Sequence, residues 1–221
     1  MIRVLLVDDQ QLVRAGLRML CDAEPDMQVV DEARDGQEAI RLAARTSPDV
    51  ILMDLRMPGM DGVTATAQIL AARPATRIVV VTTFDDDDHL YPAIAAGACG
   101  FLVKDTAPED LLAGIRRAAA GDSPFSPAVL HRLVSAAITG RGGRTAAEQP
   151  ADAGLSRRES QVVGLVSAGL SNAEIAERLH LGVTTVKTHV AAAMAKTGAS
   201  NRVRLAVYGI RLGLASEPAG A

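Results

Sequence analysis

The sequence predicts an α/β domain, a doubly wound sheet of five parallel strands, followed by a small all-α domain. Three observations predict it. First, within residues 1–120 the short apolar runs Val4–Val7, Val29–Val30, Val50–Met53, Ile78–Val81 and Phe101–Val103 alternate with stretches of helical period. Strands buried on both faces read as continuous apolar runs, and helices between them make the strands parallel. Second, that alternation stops at Gly121-Asp122-Ser123-Pro124, and from Leu155 onward every periodic segment is a short helix. Third, the charge changes sign. Residues 1–150 carry 15 Lys and Arg against 21 Asp and Glu, a net of -6, whereas residues 151–221 carry 8 against 5, a net of +3. An acidic front and a basic rear imply two domains with different partners.

Composition sets the remaining bounds. A chain of 221 residues holds one large domain or two small ones at roughly 100–200 residues each. Hydrophobic residues make up 48% and the mean hydropathy is +0.17, enough for a buried core. No apolar run approaches the ~18 residues that span a bilayer, so no membrane partner is expected. The apolar stretch from Met1 is too short for a secretion signal, and Asp8 and Asp9 interrupt it. Cys21 and Cys99 are far apart and lack metal-ligand spacing, and they read as small buried residues in a reducing cytosol. The expected location is cytoplasmic.

Taken in order, Leu12, Leu17 and Leu20 mark a first amphipathic helix, and Ala39, Ile40 and Ala43 a second. After residue 120, Val129, Leu130, Leu133, Val134 and Ala137 form one side of an isolated helix. The glycine- and charge-rich stretch Thr139–Arg144 and Glu148-Gln149-Pro150 follow, so residues 121–151 read as a linker with one helix. Ser156-Arg157-Arg158-Glu159 and Ser171-Asn172-Ala173-Glu174 are capping boxes, which predict two helix starts because serine oxygen and glutamate satisfy unpaired backbone N–H groups. Thr184 is a third expected cap, after a tight glycine turn at Leu181-Gly182-Val183. Ile175, Ala176 and Leu179 face inward on one helix and Val186, Val190 and Ala193 on the next, which leaves Lys187, Thr188 and Ala191 outward. The last helix, near residues 202–214, has two apolar sides: Val203, Val207 and Ile210, then Leu205, Tyr208 and Leu212. The all-α domain spans 152–215, and the tail 216–221 frays.

In open parallel sheets the ligand site lies beyond the carboxyl ends of the strands. Asp8 and Asp9 follow the first strand, Asp54 ends the third, Thr82 the fourth and Lys104 the fifth. Like charges held together raise one another's pKa unless a cation offsets them. Mg2+ is the natural cation, since it takes oxygen ligands, one or two of them carboxylates, and keeps waters. One acid pair at a strand end is equally well explained by Asp capping a helix in a solvated turn. Four polar groups ending four different strands form a coherent constellation: a carboxylate nucleophile toward phosphorus, with Mg2+, Lys and Thr to neutralise the phosphoryl oxygens. The acidic run Asp85–Asp88 reads as a solvated helix start, and His89 as a surface residue.

Asp8-Asp9, Asp54-Leu55-Arg56-Met57-Pro58-Gly59-Met60-Asp61-Gly62, Thr82-Thr83 and Gly100-Phe101-Leu102-Val103-Lys104 resemble the signature set of response-regulator receiver domains, over residues 1–120. The resemblance implies a flavodoxin-like fold. It makes Asp54 the phosphoacceptor, Asp9 a direct Mg2+ ligand, Asp8 a ligand acting through water, and the backbone carbonyl of Arg56 a further ligand. It also implies that Thr82 follows the phosphoryl group, that Phe101 changes rotamer with it, and that Lys104 pairs with a phosphoryl oxygen. Met57, Met60 and Gly62 shape the loop after Asp54. Lys104-Asp105-Thr106 resembles the variant common in the NarL/FixJ group.

Leu155-Ser-Arg-Arg-Glu159, Gly169-Leu-Ser-Asn-Ala-Glu-Ile-Ala176, Leu179 and Thr185-Val-Lys-Thr-His-Val190 resemble the LuxR-type helix-turn-helix, over residues 152–215. A helix presenting short polar side chains and a lysine fits the major groove of double-stranded DNA. Lys187, Thr188 and Ala191 are the expected groove-facing residues, though relatives often carry a basic residue where Ala191 stands. Ser171, Asn172, Thr185 and His189 suit phosphate contacts, which fix register without reading sequence. One apolar side of the last helix closes the core, and the family implies that the other serves a homodimer.

Together these features resemble a bacterial two-component response regulator. A sensor histidine kinase would phosphorylate Asp54, dimers would bind DNA, and RNA polymerase is a possible partner. An aspartyl phosphohydrolase is the rival reading. Such enzymes need a second acid two residues after the nucleophile, and here that position is Arg56. A receiver that regulates without phosphate is a third reading, and the intact acid, threonine and lysine set argues against it.

Overall fold

The computed structural model describes residues 1–83, 87–125, 153–199 and 201–214. The chain divides into two compact units, Met1–Ser126 and Pro127–Ala221.

In the first unit, β1 (Ile2–Val7), β2 (Met27–Ala33), β3 (Val50–Met53), β4 (Arg77–Thr82) and β5 (Gly100–Val103) form one sheet in the order β2-β1-β3-β4-β5. Every pairing is parallel. Each predicted apolar run is a strand. β2 is longer than its two-residue run because it is an edge strand, and Gln28, Asp31 and Glu32 break its apolar pattern.

Alternate strand residues feed two cores, one on each face, as the period of two requires. Val4, Leu6, Val50, Leu52, Val79 and Val81 pack under Leu17 and Cys21 of α1 (Gln11–Asp22) and Leu111, Leu112 and Ile115 of α5 (Pro108–Ala119). Leu5, Val7, Ile51, Met53 and Ile78 pack under Ala39, Leu42 and Ala43 of α2 (Gly36–Thr46) and Ala65 and Ile69 of α3 (Gly62–Ala72). α4 (Asp87–Ala96) completes the unit. Leu12, expected on the inner face of α1, is 86% exposed. Five helical positions separate it from Leu17, about 140° of rotation, so the two cannot share a face. Asp85 and Asp86 of the acidic run lie outside the described residues.

After α5 the chain stays on the sheet. Gly121 takes a left-handed φ of 88°, the Phe101 N–H donates to the Pro124 carbonyl at 2.8 Å, and the rings of Phe101 and Phe125 stack with centroids 6.4 Å apart. Gly100 has to be glycine, because a Cβ there would sit 2.6 Å from Pro124. The helix expected near 129–137, the rest of the linker and the tail at 216–221 lie outside the described residues.

The second unit contains α6 (Arg157–Ser167), α7 (Asn172–Leu179), α8 (Val183–Thr197) and α9 (Arg202–Arg211). Both predicted capping boxes form, at Ser156 with Glu159 and at Ser171 with Glu174. Val162, Val163, Val166, Ile175, Val186, Val190, Ala193 and Leu205 are the centre of the core. Three local expectations are corrected. The cap of α8 is Gly182, with Thr184 inside the helix, so no side-chain oxygen caps it. The left-handed residue of the turn is His180 (φ 53°), while Gly182 is extended in β geometry. On α9 the buried side is Val203, Leu205, Ala206 and Gly209, and Leu212 is 38% exposed. The period of large apolar residues does not mark these small ones, and α9 approaches α6 so closely that a Cβ on Gly209 would lie 2.3 Å from the Ser167 hydroxyl.

Candidate functional site

The acidic site is an extension of the sheet ladder by one residue. The Asp8 N–H donates to the Ala33 carbonyl at 3.1 Å, the Asp54 N–H to the Val7 carbonyl at 2.8 Å, and the Lys104 N–H to the Thr82 carbonyl at 2.8 Å. Backbone bonds therefore set where the Asp8, Asp54 and Lys104 side chains start, and Thr82 is placed by its position at the end of β4. The carboxylate oxygens of Asp8, Asp9 and Asp54 lie within 4.8 Å of one another. Asp8 and Asp54 are buried, at 2% and 4% exposure, and Asp9 is exposed.

Lys104 is the cation between them. Its Nζ lies 2.6 Å from Asp8 Oδ2 and 2.8 Å from Asp54 Oδ2. Burial pushes the Asp54 carboxyl above its ordinary pKa, helped by the Asp8 charge and opposed by Lys104. Burial alone would lower the Lys104 pKa, but its two carboxylate partners outweigh burial and raise it. Two further N–H donors complete the first contacts: Gln10 to Asp8 Oδ1 at 2.9 Å, and Arg56 to Asp54 Oδ1 at 3.4 Å.

Thr82 is buried at the end of β4 and Phe101 is buried within β5. The loop after Asp54 packs as the residue types suggest. Met57 and Met60 contact the core under α2 and α3. Gly62 lies so close to the main chain of Asp54 that a Cβ would be 2.0 Å from its carbonyl oxygen. Two further contacts reach the site, one of them from a residue that no motif marks. The Arg56 guanidinium donates to Thr83 Oγ1 at 2.6 Å, and the Arg14 guanidinium donates to the Asp8 carbonyl at 2.6 Å. Thr83 belongs to the Thr82-Thr83 pair at the end of β4, whereas no spacing rule singles out Arg14. An all-oxygen set of three carboxylates, two anchored and one open to solvent, has the donor chemistry that a hard divalent ion takes.

In the helical unit, Thr185, Lys187, Thr188 and Ala191 are exposed along α8, and His189 is half-buried. The Thr188 hydroxyl donates to the Thr184 carbonyl at 3.1 Å, which orients it along the helix. Ser171 is mostly buried, and its Oγ accepts from the Glu174 N–H at 3.2 Å. Asn172, expected as a phosphate contact, is 2% exposed, and its Oδ1 accepts from Arg202 Nη1 at 2.7 Å. Arg202 Nη2 also donates to the Leu170 carbonyl at 2.6 Å. The Asn172 side chain is thus an internal brace between α7 and α9. No local pattern signals this pairing, because its partner lies 30 residues away.

Comparison with known proteins agrees with this architecture. Residues 4–116 match the family described as the response regulator receiver domain. Residues 153–209 match that of the bacterial regulatory proteins, luxR family. The chain is 43% identical over 213 residues to the uncharacterized transcriptional regulatory protein YxjL of Bacillus subtilis, covering 96% of this chain and 97% of that one. It is 41% identical over 211 residues to the transcriptional regulatory protein LiaR of the same organism, covering 96% and 98%. Among solved structures it resembles the response regulator ChrA of a heme-sensing two-component system, with a TM-score of 0.53, 33% identity, and coverage of 96% and 98%.

Fold and site together define a receiver domain joined to a DNA-binding helix-turn-helix. The chain belongs to the two-component response regulators that combine a receiver with a LuxR-type DNA-binding domain, and it is a transcriptional regulator. A sensor kinase and DNA are the partners this class implies. Among the described residues no helix is long and apolar enough to cross a membrane.

Proposed function

We propose that Asp54 accepts a phosphoryl group from a phosphohistidine of a cognate sensor kinase, and that the phosphate switches dimerisation and sequence-specific DNA binding. An Asp54 oxygen attacks phosphorus, the P–N bond breaks, and the imidazole departs as an acyl phosphate forms. The observation that carries this reading is the buried Asp54 carboxylate with the Lys104 ammonium 2.8 Å away and two further acids beside it. Mg2+ would be held by Asp9 and Asp54, by Asp8 through water and by the Arg56 carbonyl. Bound there, it supplies positive charge to the phosphoryl oxygens. Lys104 pairs with one phosphoryl oxygen, Thr82 with another, and Phe101 responds to the movement of Thr82. Chemistry at this site is limited to slow self-phosphorylation and hydrolysis of the acyl phosphate, so the protein acts as a switch rather than an enzyme.

In the DNA-binding domain, Lys187, Thr188 and Ala191 face the major groove, and Ser171, Thr185 and His189 lie along the phosphates. Val207, Ile210 and Leu212 form the dimer side of α9. The protein works in the cytoplasm, with RNA polymerase as a possible further partner.

The test is labelling with a small acyl phosphate and Mg2+. Wild type should take up phosphate and form dimers in sedimentation, whereas Asp54→Asn should take up none. Undiminished labelling of Asp54→Asn would remove Asp54 from its role.

A further inference from the structure

We propose that Arg14 is a positioning residue for the acidic pocket, holding the peptide between Asp8 and Asp9 so that the Asp9 carboxylate stays with those of Asp8 and Asp54. The inference rests on the reading of that pocket as the Mg2+ site.

Asp8 is fixed at every polar atom. Its N–H is bonded to Ala33, Oδ1 accepts from Gln10, Oδ2 pairs with Lys104, and its carbonyl accepts from Arg14 Nη1 at 2.6 Å. Asp9 differs. It is exposed, and among the described residues no hydrogen bond holds its carboxylate. Its direction is therefore set by the backbone that leads into it. The Asp8 carbonyl and the Asp9 N–H belong to one rigid peptide plane. Pinning that carbonyl sets the direction in which the Asp9 Cα, and hence its side chain, leaves β1.

Arg14 is built for this task. Its side chain is only 15% exposed. Its Nε donates to Glu32 Oε2 on β2 at 3.3 Å, and the other Glu32 oxygen is taken by Arg18, which also pairs with Asp22 at 3.6 Å. One planar guanidinium thus spans a strand and the loop at the site. A lysine, with a single point of charge, cannot span both partners.

Charge and position predict opposite outcomes, which makes the idea testable. A cation beside three acids repels a divalent ion, so on charge alone removing Arg14 would tighten Mg2+ binding. Positioning predicts weaker binding, whether or not the charge is kept. The experiment is a Mg2+ titration of the full chain, followed by the 15N amide shifts at the pocket, for wild type, Arg14→Lys, Arg14→Met and Glu32→Gln. Outer partners of a metal site typically contribute at least tenfold to affinity. Both Arg14 variants should need about tenfold more Mg2+, and Glu32→Gln should show a smaller shift in the same direction. All should reach the wild-type extent of Asp54 labelling at saturating Mg2+, with unchanged circular dichroism. Wild-type or tighter affinity in Arg14→Lys and Arg14→Met overturns the proposal. A wild-type chain that shows no Mg2+-dependent shift at the pocket overturns the metal reading beneath it, and is told apart by occurring before any substitution.

Discussion

The two domains carry their working groups in opposite ways. In the receiver, Asp8, Asp54 and Thr82 are buried and Lys104 nearly so, and their bonds cross between β1, β3, β4 and β5. In the helical domain, Lys187 and Thr188 stand exposed on α8, while the buried polar pairing of Arg202 with Asn172 braces the domain elsewhere. Chemistry and stability share the same residues in the receiver and are separable in the helical domain. A phosphoryl switch needs desolvated, converging charge, which only a buried strand-end pocket supplies. A groove-reading helix needs its side chains free to meet another molecule.

Lys104→Met should give the largest effect. It leaves two buried carboxylates without their cation, and breaking a buried ion pair costs about 3–5 kcal/mol. The receiver should melt correspondingly lower and lose labelling together with stability. A variant with wild-type melting would break the claim that the pocket is also a structural tie. Arg202→Ala comes next. It removes two hydrogen bonds from a charged donor and leaves Asn172 Oδ1 without this donor, at a cost of about 2–3 kcal/mol to the helical domain. DNA affinity should fall only with the folded fraction, and the selected sites should not change.

Thr188→Ala should do the reverse. Melting should stay within about 0.5 kcal/mol of wild type, as for an ordinary surface change, while discrimination at one or two base pairs falls by about 1–3 kcal/mol. Site selection from random DNA separates it from Arg202→Ala, and identical selected sites at identical affinity would remove α8 as the reading element.

The smallest effect is a pH dependence. Lys196, with the Ser156 N–H, holds the Glu159 carboxyl down to about 2 from its ordinary 4.5. The folded domain keeps this carboxylate ionised at pH values where the unfolded chain already protonates it. Its contribution is therefore complete above pH 4.5 and is lost as pH falls toward 2. Thermal melts should show Glu159→Gln below wild type at neutral pH, with the gap closing toward pH 2. A gap that stays constant with pH would mean that the Glu159 charge contributes nothing.

Strand positions, both capping boxes, the strand-end acids and the outward face of α8 were legible because each follows from local pattern. Apolar runs mark buried strands, S-x-x-E marks a helix start, and helical period sorts inside from outside. Boundaries and small-residue contacts were less legible. The α8 cap fell on a glycine with no side-chain signal, and the α9 core side used Ala206 and Gly209, which a count of large apolar residues ignores.

By itself, the sequence determined the class of fold, the order of its elements and the identity of the acid, threonine and lysine set, since these depend on residues near one another in the chain or on one residue per strand. Only the tertiary structure decided which polar groups meet. Lys104 reaches Asp8 and Asp54, Arg14 reaches Glu32 and the Asp8 carbonyl, and Arg202 withdraws Asn172 from the surface. Hydrogen bonds act over about 3 Å, and no spacing in the chain encodes which distant side chains the packing of strands and helices brings within that distance.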